Sequence, residues 1–386
     1  MKKQYLFKLT ILISFIAVVQ FSCTQSIKEP ERISSLIKID SLLQAKSDED
    51  LFHGSIFIQD PAGNQLQKAY GIARRDWNLP NDINTVFDIA SVNKSMISGL
   101  IMIAEQEGKL TTDDKLVDLL SKFEINYSGN FSDAITLHHM MSHSSGLPDY
   151  DAIGEEYAAN GFQKFKRMHF SNAEYVDFIS TLPVRGNPNE TVYYSNFAYH
   201  LLAIILEETY KQPFDEILKE KLTSPLGMTQ TYSQSSNQIT IPNLAVGYSY
   251  QEEDQVWLAN DFIDLTLGRR IFSTAADLAM WTKEMNEGKV LSEESLTKMK
   301  TNHLSEITQD LGYGYGWVTF GPGDNYGMGD LGIDEPYIIH GGNTEGFRAM
   351  TININEGDYI ISFLTNSGWR TNEMEFAQNI VNNLID

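Results

Sequence analysis

The apolar positions of the chain predict strands near both ends and helices between them. Residues 54–59 and 65–72 are short apolar-rich segments separated by the turn residues 60–64, which is typical of a β-hairpin. Helical periodicity dominates the middle of the chain and is clearest at 196–210. Strand patterns return at 312–320, 337–340, 348–353 and 359–364, and a last helix is predicted at 373–384.

This order of elements predicts an α+β fold in which both ends of the chain contribute to one sheet. We expect the sheet part to comprise about residues 35–90 and 265–386, with a first amphipathic helix at 33–43. Residues 91–264 would form a helical lobe beside it. A cleft between the sheet and the lobe is a natural place for a substrate.

The first 22 residues have the organisation of a secretory signal peptide. Three lysines among the first eight residues precede an apolar run at 9–21, which is short for a membrane span. Cys23, the only cysteine, follows this run where bacterial lipoproteins carry their lipidated residue. We therefore expect export to the bacterial cell envelope and a lipidated tether at 23–34, with ordinary signal cleavage as the alternative.

Composition narrows the range of partners. The chain of 386 residues has a formal net charge of −22, and its acidic residues are spread along its length. Nucleic acid is not an expected partner, because phosphate binding needs a basic stripe. We expect a catalytic domain at 35–386, a small-molecule or peptide substrate, and contact with a membrane through the lipid anchor alone.

Ser91 and Lys94 have the spacing of a nucleophile and its activator. Residues three apart lie on the same face of a helix, and the start of a helix favours negative charge on the serine oxygen. The lysine amine would then lie within reach of that oxygen. The spacing alone decides little, because pairs at 35/38 and 295/298 share it, and an N-cap serine with a solvated lysine is the alternative.

Two further motifs occur once each. Tyr194 and Asn196 form the Y-x-N motif at the start of a predicted helix, where the tyrosine oxygen could take a proton from a serine and return it to a leaving group. His340 and Gly342 form the H-x-G motif after an apolar strand, where backbone N–H groups could hold a developing oxyanion. A buried tyrosine with a capping asparagine, and a tight turn, are the structural alternatives.

Together the three motifs resemble the serine β-lactamase and penicillin-binding protein superfamily. The S-x-x-K, Y-x-N and H-x-G motifs follow one another in the order and at the intervals of that superfamily, and neither of the other serine–lysine pairs has the two motifs downstream at such spacing. Residues 140–148 and 272–281 resemble the SHTSGLP and STAADLAxW segments of its class C-like branch, which includes esterases and D-stereospecific peptidases. The resemblance covers about residues 35–386.

The resemblance implies an antiparallel β-sheet flanked by the terminal helices, beside an all-helical lobe at about 91–264. It implies that Ser91 attacks a carbonyl carbon and that Lys94 and Tyr194 together hold and shuttle the proton. Asn196 would orient the substrate amide or the lysine amine.

The resemblance also implies substrate contacts along the third motif. The backbone N–H groups of Ser91 and Asn343 would form an oxyanion hole beside Gly342. His340 stands where true β-lactamases and penicillin-binding proteins usually carry a lysine that helps to hold the substrate carboxylate. Because histidine is mostly neutral near pH 7, esters, and amides or peptides without that carboxylate, become more plausible substrates than β-lactams.

Other kinds of site have little support. His139 and His143 are four residues apart, but Met140 stands where a zinc-protease helix needs glutamate. We expect neither a metal nor another cofactor, and no G-x-S-x-G elbow is present. The predicted function is that of a serine hydrolase forming a covalent acyl-enzyme on ester or amide, D-peptide-like, substrates. The alternatives are a catalytically weak peptidoglycan- or peptide-binding module and a true β-lactamase.

The lipid anchor can be tested with a Cys23→Ser variant expressed in a bacterial host. The wild-type chain should incorporate radiolabelled palmitate and sediment with membranes, because the cysteine sulfur carries the lipid. Cys23→Ser should lose both properties. Equal labelling of the two chains would contradict the anchor.

Overall fold

A computed structural model describes residues 29–153, 170–234, 240–260, 269–344 and 346–385. The predicted signal segment, 1–22, and Cys23 lie outside these residues. The first helix begins at Glu29, earlier than its predicted start at residue 33. Within the described ranges, no helix has both the length and the apolar character needed to cross a bilayer.

Strands and helices follow one another in groups along the chain. The α-helices are Glu29–Asp48 (α1), Asn93–Gln106 (α2), Leu116–Lys122 (α3), Leu137–Met141 (α4), Asn172–Thr181 (α5), Asn196–Tyr210 (α6), Phe214–Leu218 (α7), Ser224–Leu226 (α8), Ala275–Glu287 (α9), Glu293–Lys300 (α10) and Glu373–Ile385 (α11). The strands are Gly54–Gln59 (β1), Gln65–Tyr70 (β2), Ile72–Arg74 (β3), Leu79–Pro80 (β4), Phe87–Asp88 (β5), Tyr232–Ser233 (β6), Gly247–Gln251 (β7), Val256–Asn260 (β8), Ile271–Ser273 (β9), Val318–Phe320 (β10), Tyr337–Thr344 (β11), Phe347–Ile354 (β12) and Tyr359–Thr365 (β13).

Six strands form an antiparallel sheet in the order β10-β11-β12-β13-β1-β2, so the prediction that both chain ends contribute to one sheet is confirmed. A Cβ on Gly54 would lie 1.9 Å from the Leu364 carbonyl oxygen, and glycine therefore lets β1 approach β13 closely. In the β1–β2 hairpin, the Asp60 carboxylate accepts the N–H groups of Ala62 and Asn64 and holds the turn.

Helices cover both faces of this sheet. The terminal helices α1 and α11 lie on one face, and their apolar side chains share a core with the strands: Leu36, Ile39, Leu43, Ile56, Ile58, Ile352, Phe363, Ile380 and Val381. On the other face, α9 and the lobe helices share a larger core that includes Phe57, Leu100, Leu202, Trp281 and Leu364. The alternation of a strand sends Ile56 and Ile58 to the first core and Phe57 to the second.

The first turns of α2 are held from two sides. Trp281 of α9 is fully buried, and its Nε1 donates to Ser95 Oγ at 2.8 Å. Gly99 lies beneath the indole, where a Cβ would come within 2.5 Å of the ring. Gly316 has a φ of 74° and rests on the backbone of Ser95. These contacts fix the turns that carry Lys94.

The prediction that 91–264 is entirely helical is wrong for its last part. Strand β6 pairs with β9, and β7 and β8 form a hairpin in which Tyr250 lies opposite Trp257. Aromatic side chains pair well across strands, which favours a hairpin over a helix here. Trp257 Nε1 donates to Asp50 Oδ2 at 2.7 Å and attaches the hairpin to the sheet part.

Candidate active site

The serine of the S-x-x-K motif lies in a strained turn between β5 and α2. Ser91 belongs to the 3₁₀ turn Ala90–Val92, and Ala90 has a φ of 48°, a left-handed value that is unfavourable for alanine. The Ala90 N–H donates to Asp88 Oδ1 at 2.7 Å, and the buried Asp88 carboxylate pairs with Arg270. These contacts hold the turn that presents Ser91 to the cleft.

Lys94 lies one helical turn after Ser91 and is only 3% exposed. Its Nζ donates to Ser91 Oγ at 3.1 Å and to Asn196 Oδ1 at 2.8 Å. The ring centroid of Tyr194 lies 4.9 Å from Nζ, and that of Tyr199 lies 5.6 Å away. The structure therefore brings the S-x-x-K and Y-x-N motifs together around one amine.

The start of α6 explains how Asn196 reaches the lysine. The cap of this helix is Ser195, whose Oγ accepts the Ala198 N–H at 3.0 Å and donates to the Pro148 carbonyl at 2.7 Å. The alternative of a capping asparagine is therefore wrong. Asn196 is the first helical residue, and its side chain is available for Lys94.

Strand β11 brings the H-x-G motif against the serine turn. A Cβ on Gly342 would lie 2.6 Å from the Ile89 carbonyl oxygen and 2.8 Å from the Ser91 amide nitrogen, so a side chain there would force the two elements apart. Asn343 follows on the strand and lines the same cleft as Ser91. Such close approach is what an oxyanion hole shared by the two backbones requires.

His340 is buried, and both of its ring nitrogens are engaged. Its Nδ1 is 2.7 Å from the Gly341 carbonyl oxygen and therefore carries the hydrogen, so that Nε2 accepts from the Tyr313 hydroxyl at 3.1 Å. Burial lowers the pKa of His340 to about 3, and the charge of Lys94 adds to this effect. The residue lines the cleft as a neutral group and offers no positive charge to a substrate carboxylate.

Several residues of the site were missed by sequence reasoning. Asp149 accepts hydrogen bonds from Asn196, and burial raises the pKa of its carboxyl group. His143 packs against the Tyr194 ring at 4.2 Å between centroids, and burial holds its pKa well below the usual range. His143 lies in the 140–148 segment and Asp149 directly follows it. The resemblance of this segment to SHTSGLP is the signal that could have identified both residues. Nothing in the sequence pattern singles out Tyr199 or Tyr313.

A cleft of about 850 Å³ lies between the sheet and the lobe. The lining includes Asp88, Ser91, Lys94, Tyr150, Tyr194, Asn196, Tyr199, Arg270, Tyr313, Met328, His340, Gly342, Asn343 and Trp369. Ser295 is instead buried in α10, where its Oγ donates to Gln106 Oε1 at 2.7 Å, and Ser35 lies in α1. Neither of these serines lines the cleft.

His139 and His143, the two histidines four residues apart, make structural contacts. His139 takes part in the cap of α4 with Thr136, and His143 Nδ1 accepts the Ser195 N–H at 3.2 Å. In the part of the chain that the structure describes, no group of three or more His, Cys, Asp or Glu side chains is placed to hold a metal ion.

The fold and this site define a class of protein. The model of the beta-lactamase family matches residues 49–378, and the chain belongs to that family. It is 23% identical to penicillin-binding protein 4* of Bacillus subtilis (strain 168) over 357 residues, which cover 89% of this chain and 74% of that protein. Protein flp of Staphylococcus aureus (strain MRSA252) is 25% identical over 335 residues, 85% of this chain and 62% of that protein.

Solved structures share the same fold. The octameric penicillin-binding protein homologue from Pyrococcus abyssi has a TM-score of 0.73 at 24% identity and covers 90% of this chain and 76% of its own. The D-amino acid amidase from Ochrobactrum anthropi SV3, complexed with L-phenylalanine amide, has a TM-score of 0.73 at 19% identity. The match covers 92% of this chain and 98% of the amidase chain. The predicted superfamily and fold class are confirmed, and the class C-like branch stays a prediction.

Burial of His340 as a neutral group predicts lower stability in mild acid. Its folded pKa of about 3 lies below the 6.5 of an exposed histidine, so the unfolded chain binds more protons between these values. Its contribution to the free energy of unfolding is fully present above pH 6.5 and falls as the pH drops, by up to about 2 kcal/mol at pH 5.

Urea unfolding of the wild type and of His340→Gln at pH 7.5 and pH 5 measures this contribution. The variant should lose less stability between the two pH values than the wild type does, because glutamine takes up no proton. Equal losses in both proteins would show that His340 does not titrate in this way.

Proposed function

We propose that the protein is a serine hydrolase that forms a covalent acyl-enzyme at Ser91. The observation that carries this proposal is the hydrogen bond of 3.1 Å between Lys94 Nζ and Ser91 Oγ at a buried position. The alternative of a solvated lysine does not fit a side chain that is 3% exposed. A serine becomes an effective nucleophile when a proton acceptor lies within hydrogen-bond reach.

In acylation, Ser91 Oγ attacks the carbonyl carbon of an ester or amide. A C–O bond forms, the carbonyl electron pair moves onto its oxygen, and the hydroxyl proton passes to the Lys94–Tyr194 pair. The oxyanion accepts hydrogen bonds from the backbone amides of Ser91 and Asn343. When the intermediate collapses, the bond to the leaving oxygen or nitrogen breaks, and the Lys94–Tyr194 pair returns the proton to that atom.

Deacylation repeats these steps with water as the nucleophile. The Lys94–Tyr194 pair takes a proton from the water as its oxygen attacks the acyl carbon, and Ser91 Oγ leaves with that proton. The products are a carboxylic acid and the alcohol or amine released earlier.

The neutral state of His340 favours two kinds of substrate. These are esters, and amides or peptides that carry no carboxylate near this residue. A fixed cation would attract a substrate carboxylate, whereas the lowered pKa of His340 removes that attraction. The fold likeness to a D-amino acid amidase supports D-amino acid amides as a class to test. Strong β-lactam hydrolysis is the less favoured activity.

A binding module of the same fold is the alternative of a different class. It needs neither the Lys94–Ser91 hydrogen bond nor the strained turn at Ala90, which costs about 1–3 kcal/mol to maintain. We favour the enzyme for this reason. We also propose that the protein is exported and lipid-anchored at Cys23, on the sequence pattern alone.

A fluorophosphonate probe tests the nucleophile. The wild-type protein should be labelled at Ser91, because the phosphonate forms a stable bond with an activated serine oxygen, and Ser91→Ala should not be labelled. Ser295→Ala is the matched control and should label as the wild type does, since Ser295 lies outside the cleft. Labelling that persists in Ser91→Ala would refute the assignment.

Turnover assays on the same proteins distinguish the hydrolase from the binding module and the true β-lactamase. The substrates are p-nitrophenyl acetate, D-phenylalanine amide and benzylpenicillin. Turnover of ester or amide that depends on Ser91 supports the hydrolase. A stable Ser91 adduct without turnover supports the binding module, and benzylpenicillin as the best substrate supports a true β-lactamase.

Two neighbouring glycines provide a test of the oxyanion hole. Gly342→Ala should reduce ester turnover at least about 100-fold, because its Cβ would displace the Ser91 amide from the strand. Gly341→Ala is the matched control: its Cβ would meet the flexible end of Met350 at 3.3 Å, and activity should stay near the wild-type level. Similar activities in the two variants would exclude a shared oxyanion hole here.

A further inference from the structure

The carboxylate of Asp149 lies directly behind Asn196, on the side away from Lys94. Asp149 Oδ1 accepts the backbone N–H of Asn196 at 2.9 Å, and Oδ2 accepts its side-chain Nδ2 at 3.0 Å. Asp149 is therefore bound at both of its oxygens by one residue. Asp149 belongs to none of the three motifs. The acyl-transfer steps described above give it no role.

This contact decides which way the Asn196 amide faces. An ionised carboxylate only accepts hydrogen bonds, so the NH₂ group of Asn196 must face Asp149. The amide oxygen then faces Lys94, whose Nζ donates to it at 2.8 Å. With one of its hydrogens committed there, Nζ directs another to Ser91 Oγ at 3.1 Å.

The loop that carries Asp149 is tied to the start of α6 at several points. The Ser195 hydroxyl donates to the Pro148 carbonyl at 2.7 Å, and the Ser195 N–H donates to His143 Nδ1 at 3.2 Å. The Tyr193 N–H donates to the His143 carbonyl at 2.9 Å. Loop and helix start thus form one rigid unit, in which the Asp149 carboxylate has a fixed position relative to Asn196.

We propose that Asp149 is a positioning residue for the acyl transfer, acting through Asn196 to orient the Lys94 amine toward Ser91. The inference rests on the proposed function, since it assigns a role within that reaction. Asp149 is not among the residues that line the cleft. Its effect is to exclude the flipped Asn196 amide, in which an NH₂ group would face the donating amine.

The Asp149→Asn variant tests this role with almost no change in shape. Its NH₂ group would confront the NH₂ group of Asn196, so the Asn196 amide should flip and present a donor to Lys94. The rate of fluorophosphonate labelling at Ser91 should fall about 100-fold, the scale of a small misplacement of a catalytic group. The Tm should stay close to the wild-type value.

An exchange of the two side chains separates positioning from a merely structural role. In Asp149→Asn combined with Asn196→Asp, the amide at 149 donates to the carboxylate at 196, which again offers an acceptor to Lys94. Labelling should recover at least about tenfold over Asp149→Asn, because the donor and acceptor pattern is restored. Asn196→Asp alone should label slowly, since two carboxylates would face each other.

Asp151→Asn is the matched control, because Asp151 lies in the same loop and is bound by Tyr193 and Arg185 but does not contact Asn196. It should label at the wild-type rate. Wild-type labelling by Asp149→Asn, or a double variant no faster than Asp149→Asn, would overturn the positioning role. Labelling that persists in Ser91→Ala would instead overturn the proposed function, so the two failures are distinguishable.

Discussion

The hydrogen bonds of the buried Lys94 amine are the constraint on which the rest of the site depends. Withdrawing such a group from water costs several kcal/mol unless its N–H groups find partners. Ser91 at the start of α2 and Asn196 at the start of α6 supply those partners, so the amine joins two helices at the place where the cleft opens. The same bonds that make burial tolerable also aim the lysine at the serine.

The sheet contributes to this arrangement mainly through backbone. Gly342 rests against the Ser91 turn and Gly316 against Ser95, and in both places the absence of a Cβ sets the distance. Side chains would adjust by rotation, whereas backbone contacts leave little freedom. The position of Ser91 relative to the H-x-G motif is therefore set mainly by how closely two backbone segments approach each other. The surrounding side chains have a smaller effect.

Much of the fold and of the site could be predicted from local pattern. The helix Asn196–Tyr210 has a long apolar stripe and a serine cap, and both of its ends match the prediction. The strand predicted at 312–320 shrinks to Val318–Phe320, because Gly316 turns away to meet Ser95. Asp149 as a partner of Asn196 and Tyr313 as a partner of His340 could not be predicted, since these hydrogen bonds join residues 47 and 27 positions apart and no periodicity encodes them.

The pairing of β1 with β13 has a consequence for how the protein folds during synthesis. These strands are neighbours in the sheet, yet almost the whole domain lies between them in the chain, so their contact closes a very large loop. High contact order slows folding, and this strand pair cannot form until residues 359–365 have been synthesised. A ribosome-bound chain that already contains Ser91, Lys94 and Tyr194 therefore still lacks the strand that joins β1 to β12, and the sheet that supports the site cannot close before that strand emerges.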